Sequence, residues 1–269
     1  MDVDVSYLLG MLFGRGQLIE EGDVRRLVIT LSIRRTLPKL PPGVAPIDLD
    51  LDRENERALN GVRARINELL DANVDIVRIA KGATLTAKFV KRTIAWRDIK
   101  ILCSGGDDRS NFRLPNAFFQ FSPEIRKEFI RGFGDAAVTP SWADNERNMY
   151  ARIAFPVVHA NLRFAKQLQR LLKGLGSEPQ FLAGSPRTRR GKREHRIRMR
   201  AEKYADIGFT FQHKNRLLQL LAEVALRIIC KQRVWRDSGF MVLPCGCQGN
   251  DFASQGVQIF QIKRQHLDA

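Results

Sequence analysis

The sequence has few cysteines. Only four occur in 269 residues, at positions 103, 230, 245 and 247. Secreted domains that depend on disulfides carry them far more densely, so we expect reduced thiols. Cys245 and Cys247 form a CxC pair that is able to bind zinc, but the CxxC pairs typical of structural zinc sites are absent. We therefore interpret these two residues as free thiols at a turn and expect no structural zinc.

Long hydrophobic runs are also missing. The longest apolar stretches reach only about ten residues, whereas a membrane-spanning helix needs about 20. The first residues, MDVDVSYLLGMLFGRG, place two acids ahead of a short apolar run and show no cleavage-site pattern. We expect a protein of the prokaryotic cytoplasm, or of the nuclear or organellar matrix, with no membrane partner and no secretion.

Acidic residues are too few to balance the basic ones. The chain has 45 Lys and Arg against 29 Asp and Glu, which gives a formal net charge of +16, and 44% of its residues are hydrophobic. The hydrophobic content predicts a folded protein, and the charge points to a polyanionic partner. The alternative is a basic surface that serves only solubility.

The positive charge is concentrated in residues 185–200, SPRTRRGKREHRIRMR, which contain eight Arg or Lys and one Glu. Within this segment Arg196, Arg198 and Arg200 alternate with apolar residues, so a β-strand would place three guanidinium groups on one face. Arginine binds guanine O6 and N7, or two phosphate oxygens, in a bidentate manner, and a two-stranded ribbon enters the major groove of DNA. A solvated hairpin tip without a partner is the alternative interpretation.

The predicted first half offers shorter polar side chains on its strands. Thr30 and Ser32 alternate with apolar residues in one strand, and Thr84 and Thr86 do so in another. They suit base edges, although threonine is also simply a good strand former. From both halves together we predict DNA contacts by Arg34, Lys88, Arg152, Arg187, Arg189, Arg190, Lys192, Arg193, Arg196, Arg198, Arg200 and Lys214.

Hydrophobic periodicity predicts the same order of elements twice. The first series is a helix capped by Ser6, a strand, a proline-rich loop, a helix, two strands and a helix, at residues 7–13, 25–35, 37–52, 54–70, 74–80, 83–90 and 93–102. The second begins with Ser122 as N-cap and Pro123, and gives elements at 125–134, 147–155, 162–175, 179–184, 194–200 and 214–229. Residues 104–111, SGGDDRSN, are predicted to be a flexible linker, and 257–263 an added strand.

Small residues recur four apart in the two leading helices. Gly10 with Gly14, and Gly132 with Ala136, lie on one helical face each. Such pairs let two backbones approach closely, so we predict that these helices form the interface between the halves. Close packing against unrelated helices is the alternative.

The segment FRLPNAFFQFSPEIRKEFIRGFGD at 112–135, with LRFAKQLQRLLKGLG at 162–176 and DIGFTFQHKNRLLQLL at 206–221, resembles the LAGLIDADG homing endonucleases of the single-chain, two-motif type. The resemblance is closer over 112–230 than over 1–111. It implies an α+β fold of two pseudo-symmetric αββαββα halves, 1–111 and 112–230, whose antiparallel sheets form a DNA-binding saddle, followed by a C-terminal extension at 231–269. A monomer with an internal pseudo-dimer is implied.

The resemblance also implies where cleavage chemistry would lie. In the family the last acid of each motif binds a divalent metal, and five residues beyond the motif glycines this chain has Arg15 and Ala137. An arginine repels Mg²⁺ and an alanine cannot bind it. We therefore expect recognition without cleavage and no cofactor, and Arg15 either contacts phosphate or is buried in the interface.

The function predicted from the sequence is sequence-specific binding of double-stranded DNA, as the recognition module of a DNA-processing or restriction system with a fused or associated effector. Two alternatives remain open. One is an endonuclease that requires Mg²⁺ and has moved its ligands to Glu20, Glu21 or Asp135. The other is an RNA-binding, maturase-like protein.

Overall fold

The computed structural model describes residues 1–32, 40, 44, 48–80, 82–89, 93–143, 150–186 and 193–237. The chain divides into two units, Met1–Cys230 and Lys231–Ala269. All the elements below belong to the first unit, except for the last residues of the final helix. No helix in the described ranges combines the length and the apolar character needed to cross a membrane.

In the first half of the unit Met1–Cys230 the described residues form three helices and one sheet. The elements are α1 (Val3–Arg15), β1 (Gly16–Glu21), β2 (Val24–Ser32), α2 (Leu51–Leu70), β3 (Val74–Ile79), β4 (Gly82–Phe89) and α3 (Ile94–Leu102). All strand pairs are antiparallel, and the order across the sheet is β1-β2-β4-β3. This sheet is called sheet A below.

The second half repeats that order. Its elements are α4 (Pro123–Ala137), β5 (Ser141–Ala143), β6 (Tyr150–Val158), α5 (Leu162–Lys173), β7 (Gln180–Pro186), β8 (Arg193–Arg200), the short α6 (Ala201–Tyr204) and α7 (Gln212–Asp237). The antiparallel order β5-β6-β8-β7 matches that of sheet A strand for strand. This second sheet is called sheet B. The predicted α+β fold of two αββαββα halves is confirmed.

The two leading helices, α1 and α4, pack against each other through their glycines. A Cβ on Gly10 would lie closer than 3.0 Å to the carbonyl oxygen of Phe129, and a Cβ on Gly132 would lie closer than 3.0 Å to that of Tyr7. Because Tyr7 is related to Phe129, and Gly10 to Gly132, by the same shift of 122 residues, each helix makes the same contact with the other.

The C-terminal ends of α1 and α4 also meet. A Cβ on Gly14 would lie 3.2 Å from the Cβ of Ala136, which is closer than ordinary van der Waals contact. The two helices therefore run in the same direction, and the predicted interface of Gly10, Gly14, Gly132 and Ala136 is confirmed. Since β1 follows α1 at Gly16 and β5 follows α4 at Ser141, both sheets begin at this one end of the helix pair.

Phenylalanines join the two halves into one core. The ring of Phe13 in α1 lies 5.0 Å from that of Phe112, 5.4 Å from that of Phe129 and 4.9 Å from that of Phe164, measured between centroids. All four side chains are buried. Aromatic pairs at these separations stabilise a fold beyond their buried area, so the α1–α4 contact is supported on its flank by residues of both halves.

The prediction of a flexible linker at 104–111 is wrong. The side chain of Asn111 accepts hydrogen bonds from the backbone N–H groups of Asp107 and Asp108, and Ser110 donates to the carboxylate of Asp108. The N–H of Leu18 in β1 donates to the carbonyl of Asp107 at 2.6 Å. Asp and Asn side chains that bind nearby backbone groups form turns as readily as they form solvated loops, and here they tie the connection to the edge of sheet A.

The predicted N-cap of the first helix is also wrong. Asp2, and not Ser6, caps α1, with its carboxylate accepting from the N–H of Val5 at 2.8 Å. Ser6 lies inside the helix and is buried, and its hydroxyl donates to the carbonyl of Ile125 in α4 at 2.6 Å. A serine ahead of an apolar run is a cap only if no earlier acid is better placed, and Asp2 is.

Candidate nucleic-acid interface

The outer face of sheet B carries a row of arginines. In β8 Arg196, Arg198 and Arg200 alternate with His195, Ile197 and Met199, which are buried. The predicted alternation is therefore confirmed. On the neighbouring strand β6, Arg152 lies directly opposite Arg200. Four guanidinium groups thus share the face that points away from the core.

Carboxylates neutralise only part of this face. Glu194 pairs with Arg196 at 2.8 Å, and Glu202 lies 3.7 Å from Arg200. Arg152 makes no ion pair with any residue in the described ranges. Four arginines against Glu194 and Glu202 leave this face with a formal charge of +2. Like charges placed directly opposite in adjacent strands, as Arg152 and Arg200 are, destabilise a sheet unless an anion lies between them.

The outer face of sheet A has the same geometry and a different charge. Arg26 in β2 lies opposite Lys88 in β4, as Arg152 lies opposite Arg200. Here, however, Arg26 pairs with Glu21 at 2.5 Å, and Lys88 pairs with Asp75 at 3.1 Å. Two cations and two anions cancel, so the face is neutral although Lys88 is exposed as predicted. Its middle is formed by Val28, Thr30, Thr84 and Thr86.

A cleft of about 250 Å³ lies where the two leading helices end. Arg15 and Ala137, at the ends of α1 and α4, line it together with Glu194 and Arg196 from the outer face of sheet B. The cleft thus continues the arginine surface to the end of the helix pair. Two cations and one ion-paired acid line it, which is the wrong ligand set for a divalent cation. The metal site that the family resemblance implies does not fit these residues.

The candidate metal ligands are not brought together. Glu20 pairs with Arg25, Glu21 pairs with Arg26, and both lie at the far end of β1, about 13 Å along the strand from the ends of the helices. No three His, Cys, Asp or Glu side chains within the described ranges form a group able to hold a metal ion.

Asp135 is a structural residue, and its prediction as a catalytic candidate was wrong. Its side chain is 1% exposed and accepts hydrogen bonds from the hydroxyl of Tyr7 at 2.8 Å and from the N–H groups of Thr210 and Phe211. Burial raises the pKa of this carboxyl above its usual range, against the opposing effects of Lys214 and the hydrogen bonds. A carboxylate whose oxygens are occupied by three protein donors binds neither metal nor substrate.

Lys214 was wrongly predicted to contact DNA. Its side chain is buried, and its Nζ donates to the carbonyl oxygens of Gly134, Asp135 and Val138, at 3.2, 2.5 and 2.8 Å. These acceptors lie at the C-terminal end of α4, where helix carbonyls have no intrahelical partner and the helix dipole favours a cation. Lys214 therefore caps the helix that ends at the cleft and does not reach solvent.

Several other predicted residues lie outside the described ranges. These are Arg34, Arg187, Arg189, Arg190 and Lys192, as well as Cys245, Cys247 and the strand predicted at 257–263. Arg193 is described, exposed, and begins β8 on the same side of the strand as the buried His195. It therefore faces away from Arg196. Cys103 is buried and forms no disulfide.

Two residues of these faces were missed by sequence reasoning. Arg26 could have been found, because it continues the alternation of Val28 and Thr30 by one step toward the N-terminus. Gln180 could not, since its place beside Arg198 depends on the pairing of β7 with β8. Both lie on outer sheet faces, and both side chains are able to donate hydrogen bonds to base edges or phosphates.

His213 provides a pH-dependent test of how α7 is packed. Burial, with a smaller contribution from Lys214, lowers its pKa from 6.5 to about 4. Between those pH values the unfolded chain binds a proton that the folded chain does not, so stability is lost as the pH falls through this window.

We expect that acidification from pH 7 to pH 5 lowers the free energy of unfolding by about 1 kcal/mol more in the wild type than in His213→Gln, after allowance for solvent screening. Urea unfolding at the two pH values measures this difference. Equal losses in both proteins would contradict the assignment.

No protein-family model and no curated protein matches this chain. Solved structures do. The N-terminal LAGLIDADG domain of DUF199/WhiA aligns over 74% of this chain and 74% of its own at 13% identity, with a TM-score of 0.41. Full-length DUF199/WhiA from Thermatoga maritima aligns over 86% of this chain and 60% of its own at 13% identity, with a TM-score of 0.46. I-DmoI in complex with DNA and Ca aligns over 75% and 85% at 15% identity, with a TM-score of 0.43. The structures that this chain resembles are thus LAGLIDADG proteins.

Proposed function

We propose that this protein binds double-stranded DNA in a sequence-dependent manner, with the outer faces of sheets A and B laid along the duplex. The observation that carries the proposal is the set of four arginines on the outer face of sheet B, in register across β6 and β8, whose charge Glu194 and Glu202 neutralise only in part. A polyanion laid along this row neutralises its remaining positive charge and reduces the repulsion between the opposed Arg152 and Arg200.

The spacing of the arginines supports a duplex as that polyanion. Arg196, Arg198 and Arg200 follow each other at two-residue intervals, which is about 6.7 Å along a strand. Two nucleotide steps of B-form DNA measure about 6.8 Å along the helix axis. A row of guanidinium groups with this period meets every second nucleotide, either at a phosphate or at a guanine edge.

The central cleft supports binding without cleavage. Arg15 and Arg196 line it at the ends of α1 and α4 and against sheet B, so both side chains would contact a duplex laid on that sheet. Two guanidinium groups there bind a phosphate directly and do not need a bridging Mg²⁺. Divalent metal is therefore expected to be unnecessary for binding, and no step of hydrolysis follows from these residues.

One chain supplies both halves, so a monomer is sufficient for this mode of binding. A protein that recognises DNA and leaves it intact acts through something else, and a fused or associated effector is the natural partner. The target-recognition module of a DNA-processing or restriction system is a role of this kind. The basic sheet supports the recognition part of this role.

Titration of the full chain against a labelled random-sequence duplex tests the proposal. We expect log K to fall with log salt at a slope of about −0.9 for each phosphate contacted, and the curve to be the same in EDTA and in Mg²⁺. A slope near zero would contradict duplex binding, and a need for Mg²⁺ would contradict the metal-free cleft. Competition with structured RNA distinguishes duplex DNA from RNA as the partner. We expect RNA to compete poorly, because the major groove of A-form RNA is too narrow for a β-ribbon.

A further inference from the structure

The two sheets offer chemically different surfaces at equivalent positions. The opposed pair Arg26 and Lys88 in sheet A corresponds to Arg152 and Arg200 in sheet B. Two and four residues before Lys88, the outer face of β4 carries Thr86 and Thr84. Two and four residues before Arg200, the outer face of β8 carries Arg198 and Arg196. The same fold therefore presents two hydroxyl and methyl groups in one half and two guanidinium groups in the other.

Sheet A is a surface of methyl groups with no net charge. Val28 lies opposite Thr86 and Thr30 lies opposite Thr84, so four β-branched side chains form its centre. On the edge strand β3, Val77 is 57% exposed and Ile79 is 46% exposed. The two cations of this face, Arg26 and Lys88, are paired with Glu21 and Asp75. Attraction to phosphate is therefore weak here, and contact with an apolar group is favoured.

DNA offers one apolar group in its major groove, the C5-methyl of thymine. Threonine and valine methyls pack against it, and the threonine hydroxyls are able to bind neighbouring base edges. Guanine, in contrast, offers O6 and N7 acceptors, which a guanidinium group binds in a bidentate manner. Sheets A and B thus present, respectively, the complements of thymine and of guanine.

The outer faces of sheets A and B are connected through the cleft at the end of the helix pair. The strands β1 and β5 begin at the same end of the α1–α4 pair, and the cleft at that end already joins Arg15 of the first half to Arg196 of sheet B. A duplex bound to the charged sheet B and centred on the cleft therefore continues toward sheet A. This continuity is the reason to assign DNA, and not another protein, to the apolar face.

We infer that the protein recognises an asymmetric site, in which sheet A reads a half-site rich in thymine through its methyl groups and sheet B reads a half-site rich in guanine. This inference rests on the proposed DNA binding. The residues that determine specificity are Val28, Thr30, Thr84 and Thr86 on one side and Arg196, Arg198 and Arg200 on the other.

Selection of bound fragments from a random duplex pool gives the site, and base analogues then test how it is read. Deoxyuridine in place of thymidine removes the methyl group and leaves base pairing intact. We expect each such replacement in the thymine-rich half to weaken binding about fourfold, the factor that corresponds to one buried methyl. The analogue 7-deazaguanine, which lacks the N7 acceptor, should weaken binding only in the guanine-rich half.

A double variant assigns the halves to the sheets. Thr84→Arg with Thr86→Arg gives sheet A the arginines of sheet B, so selection with this variant should yield guanine in place of thymine in that half and leave the other half unchanged. Circular dichroism confirms that the variant is folded. Failure of the wild type to bind any duplex would overturn the proposed function itself. Duplex binding with a symmetric site, or with no response to deoxyuridine, would overturn only the asymmetric readout.

Discussion

The combined replacement Arg196→Gln, Arg198→Gln and Arg200→Gln lowers the affinity for duplex DNA about a thousandfold. All three side chains lie on the outer face of sheet B. A guanidinium group bound to guanine or to phosphate contributes about 1–3 kcal/mol, so three such groups at about 1.4 kcal/mol each, in the lower half of that range, contribute about 4 kcal/mol. Glutamine keeps the length and polarity of the side chain but removes the charge and the bidentate fork.

The salt dependence of the triple variant separates lost phosphate contacts from lost base contacts. Each phosphate contact removed reduces the slope of log K against log salt by about 0.9, whereas a lost base contact leaves the slope unchanged. Fluorescence anisotropy at several salt concentrations measures both quantities. We expect the slope to fall by at least one such unit, because not all three arginines fit guanine edges at once.

A matched control removes the same charge from the other side of the same half. Arg163, Lys166 and Lys173 are exposed on α5, which packs on the core side of sheet B. Their combined replacement by glutamine also lowers the net charge by three, but should weaken binding by no more than a few-fold through long-range attraction. Equal losses in the two variants would show that net charge, and not the outer face of sheet B, carries the affinity.

The arginine surface could be predicted because it depends on a local rule. Alternation along one strand decides which residues share a face, and the apolar Ile197 and Met199 show which face is buried. The position of the glycines was predictable for the same reason, since spacing along a helix is also local. Where the residues of two strands or two halves meet is not local, and that part required the structure.

Lys214 was predicted to contact DNA, although its position in the sequence indicates burial. It lies three, four and seven residues before Leu217, Leu218 and Leu221, all of which are buried. Its place on the apolar face of α7 was therefore visible in the periodicity. What the sequence did not show is that the end of α4 supplies three carbonyl acceptors at that point.

Two strands, β1 and β5, were not predicted from the sequence, and the reason is different. β1 follows α1 without a turn residue other than Gly16, and its sequence GQLIEE contains only two apolar residues, which are adjacent. β5 has three residues. Neither shows a period that a local rule can detect. Both are held at the edges of their sheets by pairing with β2 and β6, so tertiary contacts and not propensity decide their structure.

The replacement Gly132→Ala is expected to destabilise the protein by about 3 kcal/mol or more. The added methyl would lie closer than 3.0 Å to the carbonyl oxygen and carbon of Tyr7, which belong to a helix backbone and cannot turn aside as a side chain can. The helices must then separate, and packing is lost along α1 and α4 and in the phenylalanine cluster beside them. Insertion of a methylene into a tight core typically costs about 1–3 kcal/mol, and contact with backbone places this site at or above the upper end.

Gly61→Ala is the matched control, since Gly61 lies in the exposed middle of α2 with no atom within 4 Å of an added Cβ. There the better helix propensity of alanine should stabilise the protein by about 0.5–1 kcal/mol. The double variant Gly10→Ala with Gly132→Ala should cost less than the sum of the single replacements, because helices already separated by one methyl have room for the other. Denaturant unfolding of the four variants measures all these differences. Strict additivity, or a neutral Gly132→Ala, would mean that the two halves do not meet through α1 and α4. The conclusion that both sheets begin at one end of this helix pair would then fail.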